Sequence, residues 1–298
     1  MPANEVSLPE PPLSEPPRTA SRPRQKGPAG STDCHFHIFG PHDRYPLSPA
    51  RGYTPSPEAN IDTYRKMAET LGIERMVIVN PTPYGTDHQR TIESLEIFGR
   101  KRAKGVAVVN ESFSRAALED LKSRGFVAAR VNSVNTNSTP VDKLMTVVKM
   151  IEPLGWHLEV YVEGKELPGL EKTLLSLPMP VVLDHMGRIP SDRGTDSPEF
   201  QTLLRLLDSG KIWIKLCGYR SSTQGPPYAD MLKPARMIIE TAPERCVWGT
   251  DWPHPRLYGP MLPDDGKLLD LLSDWAPDPR QFHRILVDNP AKLYGFES

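Results

Sequence analysis

The sequence predicts an α/β fold, a (β/α)8 barrel of the TIM type with a disordered, proline-rich segment before it. Strand-like and helix-like patterns alternate eight times along the chain. Polar side chains stand at the C-terminal ends of strand candidates that are otherwise apolar. The length of 298 residues suits one barrel of about 250 residues plus a short extension.

Residues 1–30 are predicted to be a separate N-terminal segment. They hold eight of the 33 prolines and almost no apolar side chains that could be buried. Such a composition is typical of a disordered or polyproline-like lead-in. The barrel domain is then expected to span residues 31–298.

Eight strands are predicted from short runs rich in Val and Ile. Near-continuous apolar runs of this kind suit strands that are buried on both faces. The strand candidates are residues 32–39, 75–80, 104–110, 126–132, 156–163, 180–185, 211–217 and 245–251.

Amphipathic stretches of helical length separate the strands. In the first of them, apolar residues such as Ile61, Tyr64 and Leu71 recur at spacings of three and four, as on one face of a helix. A doubly wound open sheet is the alternative, but eight repeats without a glycine-rich phosphate loop favour the barrel. The helix candidates are residues 58–71, 87–102, 114–124, 140–153, 165–177, 197–209, 229–241 and about 266–292.

Composition narrows the function classes. The formal net charge of −1 gives no reason to expect nucleic acid or an acidic membrane surface as a partner. Three scattered cysteines indicate a reducing compartment rather than a disulfide framework. No signal peptide and no apolar run of about 20 residues is visible, so we expect a cytoplasmic protein without a membrane partner.

The first strand ends in a His-x-His pair, His35 and His37. Alternate side chains of a strand point to the same face, so the two imidazoles share one face. Such a pair can hold a metal, hold a water or polarise a carbonyl. The alternative is one packed core histidine and one histidine at a strand end.

Other polar residues follow the later strands in the same way. Because active sites of (β/α)8 barrels form at the C-terminal ends of the strands, these residues are predicted to surround one mouth together with the histidine pair. For Arg130, an outward position or a buried ion pair is the alternative. The residues are Asn80, Thr82, Arg130, Asn132, Tyr161, Glu163, Asp184, His185, Tyr219, Arg220, Asp251 and His254. His254 is predicted to orient Asp251 or to cap the last turn, and the isolated His88 is predicted to lie at the surface.

A His-x-His pair after strand one, His185 after strand six and Asp251 after strand eight resemble the amidohydrolase superfamily. The longer motifs DCHFHIFGP, IVNPTPYGTD, VLDHMGR, GTDWPHP and DNPAKLYGF are similar to those of its 2-pyrone-4,6-dicarboxylate lactonase-like branch. The resemblance extends from about residue 31 to the C-terminus.

The resemblance implies hydrolysis of a carboxylated lactone by water, without a metal. Asp251 would be the general base, while His35, His37 and His185 would polarise the ester carbonyl. Tyr53, Thr82, Arg130, Tyr161 and Arg220 match positions that bind the substrate in that branch. Thr136 stands where the branch has a second arginine, which leaves one carboxylate contact unassigned.

The sequence leaves two possibilities for a metal cofactor. Zinc-binding members of the superfamily carry a histidine after strand five, where this chain has Tyr161, and His157 lies at the opposite end of that strand. We therefore expect no cofactor. The alternative is a single zinc or other divalent ion held by His35, His37 and Asp251, with an open coordination position.

Three other functions remain open. Relatives in the same branch include lactone isomerases of sugar acids and zinc-dependent sulfolactone hydrolases. A function of a different class is an inactive barrel that only binds a small acidic ligand. The four core positions His35, His37, His185 and Asp251 all carry side chains that are capable of catalysis, which argues against an inactive barrel.

Overall fold

The computed structural model describes residues 10–297, and these form a barrel of eight parallel strands with helices outside it. Each strand is hydrogen-bonded to the next one along the chain. The strands are β1 (Thr32–Phe36), β2 (Arg75–Val79), β3 (Ala103–Ala107), β4 (Phe126–Asn132), β5 (His157–Tyr161), β6 (Val181–Leu183), β7 (Ile212–Leu216) and β8 (Cys246–Trp248).

One main helix follows each of the eight strands, which confirms the predicted alternation. The last predicted helical region, about 266–292, is broken once, at Pro277 and Pro279, and continues beyond them as two short α-helices joined by a π-helical turn at Arg284–Asp288. The helices are α1 (Ile61–Leu71), α2 (Gln89–Phe98), α3 (Arg115–Ser123), α4 (Leu144–Ile151), α5 (Leu167–Ser176), α6 (Pro198–Asp208), α7 (Leu232–Thr241), α8 (Asp265–Trp275), α9 (Pro279–His283) and α10 (Asn289–Tyr294). No helix of the described residues is long and apolar enough to cross a membrane.

The barrel closes where the chain after β8 meets β1. The amide of Asp251 donates to the carbonyl of His35, and the amide of His37 donates to the carbonyl of Trp252, each at 2.8 Å. Gly249 permits this approach, because a Cβ there would lie 2.7 Å from the His35 backbone nitrogen. Closure therefore brings the His-x-His pair next to the predicted general base.

Helix α1 shows why the amphipathic stretches lie against the barrel. Asn60 caps its N-terminus by accepting hydrogen bonds from two backbone amides of the first turn. Gly72 ends it in a left-handed conformation. The predicted apolar face is buried, and Tyr64 stacks on Phe36 with ring centroids 3.7 Å apart.

The structure differs from the sequence prediction over residues 10–30. These residues have no regular secondary structure, but they are bound to the barrel. The amide of Ser21 donates to Asp264 at 2.9 Å, and the amide of Arg24 donates to Asp270 at 2.6 Å. Hydrogen bonds of this kind replace the missing apolar contacts, so disorder is not what the structure shows here. The earlier part of the predicted segment lies outside the described residues.

The surface prediction for His88 is wrong. Its side chain is buried beside Phe126, and its Nε2 accepts a hydrogen bond from the Val108 amide at 3.1 Å. Burial lowers the pKa of His88 to about 4, so the ring is a neutral acceptor inside the helix layer.

Candidate active site

A cavity of about 200 Å³ opens at the C-terminal end of the barrel. The structure brings eight of the nine predicted site residues to its wall. The ninth, His35, is fully buried behind that wall. The eight residues are His37, Tyr53, Thr82, Arg130, Tyr161, His185, Arg220 and Asp251.

Asp251 receives hydrogen bonds from one side and faces histidines on the other. Its Oδ2 accepts from the Tyr219 hydroxyl at 2.6 Å and from Arg220 Nε at 2.7 Å. Its Oδ1 lies 3.6 Å from His35 Nε2 and 3.5 Å from His37 Nε2. Burial alone would raise the pKa of Asp251, but the Arg220 charge holds it well below its usual range. The carboxylate is therefore ionised and able to accept a proton.

Two of these side chains stand on uncommon backbone. Asp251 has a φ of 59° and His185 a φ of 51°, a left-handed conformation that few residues other than glycine adopt. Backbone strain of this kind concentrates at functional sites, where the surrounding structure holds it in place. Here it turns both side chains into the cavity.

The protonation of His35 is fixed by Lys215. The Lys215 ammonium, which can only donate, lies 3.2 Å from His35 Nδ1. Burial, together with the Lys215 charge, lowers the pKa of His35 to about 3. The ring is consequently neutral. Asp184 Oδ1 also lies 3.6 Å from Nδ1, but the Lys215 ammonium is nearer, so we assign the single proton to Nε2, the nitrogen that faces Asp251.

His37 has the opposite arrangement. Its Nδ1 lies 2.8 Å from the Val79 carbonyl oxygen, so Nδ1 carries a proton and donates it. In the neutral ring, the Nε2 facing Asp251 then keeps a free lone pair. Two histidines on one strand face thus present a donor and an acceptor to the same carboxylate.

His185 completes the histidine cluster. Its ring lies 4.6 Å from that of His35 and 4.8 Å from that of Tyr161, measured between centroids. Burial holds the pKa of His185 well below its ordinary value, so the ring is neutral. Its Nδ1 is buried and has no hydrogen-bond partner within residues 10–297.

The predicted metal triad fits a metal only in part. Ligand atoms of His35, His37 and Asp251 lie close enough to share an ion. His37 meets the requirement, since metal-binding histidines usually donate their other nitrogen to a carbonyl or carboxylate. His35 does not, because freeing its Nε2 would move the proton to Nδ1, against the Lys215 ammonium. The triad as arranged is therefore not a matched metal site.

Three arginines on the cavity wall are paired with carboxylates. Arg130 Nε lies 2.7 Å from Asp184, and Arg188 lies 3.1 Å from Glu163, while Arg220 binds Asp251 as described above. The Tyr161 ring stands between the first two, with guanidinium carbons at 4.6 and 5.6 Å from its centroid. Arg130 therefore forms the buried ion pair that was the alternative prediction, and it also lines the cavity.

A network of buried charges lies under the cavity, and sequence reasoning missed half of it. We call Glu159, Lys215, Asp184 and Arg130 the floor network. Lys215 Nζ lies 2.6 Å from Glu159 and 3.2 Å from Asp184, and all four side chains are at most 4% exposed. The available signal was a charge inside an apolar strand, which identified Arg130 but was not applied to Glu159 and Lys215.

His254 contacts Asp251 directly only through the backbone, where its amide donates to the Asp251 carbonyl at 2.8 Å, and its side chain acts on the carboxylate through Tyr219. Its Nδ1 lies 3.1 Å from the Tyr219 hydroxyl oxygen, and its Nε2 lies 3.0 Å from Asp265. Tyr219 in turn donates to Asp251. His254 therefore positions the tyrosine rather than the carboxylate itself.

Comparisons with known proteins identify the family of this chain. The sequence model of the amidohydrolase family matches residues 32–296. A 2-pyrone-4,6-dicarboxylate hydrolase of Comamonas testosteroni is 39% identical, over 92% of this chain and 93% of that protein. A 4-sulfomuconolactone hydrolase of Hydrogenophaga intermedia is 36% identical, over 90% of this chain and 89% of that protein.

Among solved structures, a probable 2-pyrone-4,6-dicarboxylic acid hydrolase of Acinetobacter baumannii with citric acid bound is similar in fold. It has a TM-score of 0.79 and 26% identity, and the match covers 90% of this chain and 100% of that one.

Proposed function

This chain belongs to the amidohydrolase family, and we propose that it hydrolyses a carboxylated lactone resembling 2-pyrone-4,6-dicarboxylate. One observation carries the proposal. An ionised, buried Asp251 faces a cavity whose wall also presents Arg130, Arg188 and Arg220. Guanidinium groups are well matched to carboxylates, and a small cavity suits a single-ring substrate.

In the proposed reaction, Asp251 activates the water. The water lies on Asp251 Oδ1, where His37 Nε2 accepts its second hydrogen bond, while the buried His35 Nε2–H faces the same carboxylate oxygen. Its oxygen attacks the lactone carbonyl carbon while Asp251 takes its proton. A general base of this kind contributes about 100- to 10,000-fold in rate.

The tetrahedral intermediate then collapses with opening of the ring. An N–H of His185 donates to the oxyanion formed from the carbonyl oxygen. The bond between the acyl carbon and the ring oxygen breaks, and Asp251 returns its proton to the leaving oxygen. Removing one oxyanion donor typically costs about 100- to 1,000-fold in kcat.

Arg220 links substrate binding to the strength of the base. In the structure it neutralises Asp251, whose pKa it helps to hold low. A substrate carboxylate that attracts the same guanidinium weakens this pairing. The pKa of Asp251 then rises, and the base becomes stronger once the substrate is in place.

We propose that this chemistry runs without a metal. An activated lactone is a reactive ester and depends less on a Lewis acid than an amide does. The proton on His35 Nε2, fixed by Lys215, supports the same conclusion. A bound zinc, the alternative, would supply Lewis acidity and a more acidic water at this position.

A second candidate substrate is a sulfolactone. The observation in its favour is the 36% identity to a 4-sulfomuconolactone hydrolase across nearly the whole chain. A sulfonate carries one charge and three oxygens, so the same arginines can bind it.

The test is a substrate panel with purified protein. Loss of the pyrone's ultraviolet absorbance reports hydrolysis of 2-pyrone-4,6-dicarboxylate, and proton release reports hydrolysis of 4-sulfomuconolactone and of a sugar-acid lactone. We expect fastest turnover of the dicarboxylated pyrone, abolished in Asp251→Asn. Turnover of the sulfolactone alone would assign the second candidate, and isomerisation of the sugar-acid lactone without hydrolysis would contradict both.

A further inference from the structure

The four arginines on the cavity wall differ in how their charges are balanced. Arg130, Arg188 and Arg220 each pair with a carboxylate. Arg256, the fourth, has no carboxylate within 4 Å among residues 10–297. Its hydrogen bond goes instead to a neutral amide, the Oδ1 of Asn135, at 2.9 Å. Arg256 therefore brings an uncompensated positive charge to the cavity.

Two contacts hold Arg256 in place. Arg220 donates from Nη2 to the carbonyl of Pro255, the preceding residue, at 3.1 Å. Arg256 itself has a left-handed backbone, with a φ of 66°, and its side chain reaches the loop after β4 through Asn135. The guanidinium thus bridges the loops after β8 and β4 at the cavity mouth, next to the arginine that binds the general base.

The neighbouring position supplies no cation. Thr136, directly after Asn135, is exposed and does not line the cavity. Its hydroxyl oxygen would lie 3.1 Å from a Cβ on Gly52, so the side chain points at that residue. A threonine hydroxyl cannot replace the two parallel hydrogen bonds that a guanidinium gives to a carboxylate. In this part of the mouth, Arg256 is the cation placed to do so.

We propose that Arg256 is a specificity-determining residue that binds the second acid group of the substrate, the group remote from the ester ring oxygen. This inference rests on the proposed function. The acid group is a carboxylate or a sulfonate, both of which offer oxygens to a guanidinium. Binding replaces the Asn135 contact with a charge-assisted hydrogen bond, and the acid group balances the charge of Arg256, which has no carboxylate partner among residues 10–297.

The experiment compares Arg256→Gln with wild type on two pyrones, one with two carboxylates and one that keeps only the carboxylate beside the ester. Loss of a charged hydrogen bond costs about 1.5–3 kcal/mol, or about 10- to 100-fold in KM. We expect that increase for the dicarboxylated pyrone, with kcat little changed. The monocarboxylated pyrone should show the same KM in both proteins. A parallel pair of assays with 4-sulfomuconolactone distinguishes a sulfonate from a carboxylate.

Two further variants sharpen the test. Arg280→Gln removes a charge from an arginine whose side chain is 92% exposed and should leave both KM values unchanged. Adding Thr136→Arg to Arg256→Gln should restore most of the lost affinity for the diacid. An equal KM change on both pyrones, or none on either, contradicts the role of Arg256. Failure of wild type to hydrolyse any lactone would instead contradict the proposed function.

Discussion

The floor and the mouth of the cavity use the same kinds of side chain for different purposes. In the floor network, Lys215 and Arg130 are buried against carboxylates. At the mouth, Arg256 is exposed and has a neutral partner. Buried, paired charges fix geometry and protonation, whereas an accessible unpaired charge is available to a ligand. Floor substitutions should therefore change folding and kcat, and mouth substitutions should change KM.

The largest effect is expected where the floor meets the cavity. Asp251→Asn keeps the size of the side chain but removes the proton acceptor. We predict a loss of about 1,000-fold in kcat, measured with the best substrate of the panel. Affinity for that substrate should persist, as measured by calorimetry with the inactive variant. Loss of substrate binding together with turnover would show that Asp251 serves structure rather than chemistry.

The next largest effect concerns stability. Lys215→Met leaves Glu159 without its closest cationic partner, and breaking a buried ion pair in this way costs about 3–5 kcal/mol. We predict that loss in the free energy of unfolding in urea. Adding Glu159→Gln to the variant should recover part of it, since the orphaned charge is then removed. A decrease below about 1 kcal/mol, typical of an exposed pair, would contradict the assignment of Lys215 to a dry floor.

A smaller effect, on the pH profile, tests whether Arg220 controls the basicity of Asp251. A carboxylate accepts a proton only when ionised, so kcat/KM falls as the pH drops through the pKa of Asp251. Burial raises that pKa and Arg220 opposes the rise; wild type should therefore show no acid limb from Asp251 above pH 5. In Arg220→Gln the burial effect dominates, and the acid limb should move up by about 1–3 pH units.

Arg220→Lys is the matched control, because it keeps the charge without the fork geometry. Its acid limb should stay near that of wild type, while its KM rises. An unchanged pH profile in Arg220→Gln would mean that Arg220 does not set the basicity of Asp251.

The sequence predicted the fold and most of the site for a physical reason. Strand and helix patterns reflect burial on a regular period, and barrel topology brings all strand ends to one mouth. Eight of the nine predicted residues line the cavity accordingly. The alternation of side chains along a strand predicts that His35 faces the same way as His37. It does not predict that the His35 side chain is fully buried.

Residues outside these patterns were missed because their partners are distant in the sequence. Lys215 acts through Glu159, 56 residues away, and nothing local marks either as paired. Arg256 lies in a loop, where no period applies. The sequence predicts a disordered segment before the barrel, but the backbone amide of Arg24 is bound to Asp270, which is 246 residues away in the sequence.

The central claim is that the floor network fixes a metal-free site through the proton on His35 Nε2. The most direct measurement is turnover of the best lactone by chelator-treated protein whose metal content has been determined by elemental analysis. The account predicts full turnover without metal and no increase when zinc is added. Activity that is lost on chelation and returns with one zinc per chain would contradict it, and would show that Lys215 does not hold His35 in the donor state.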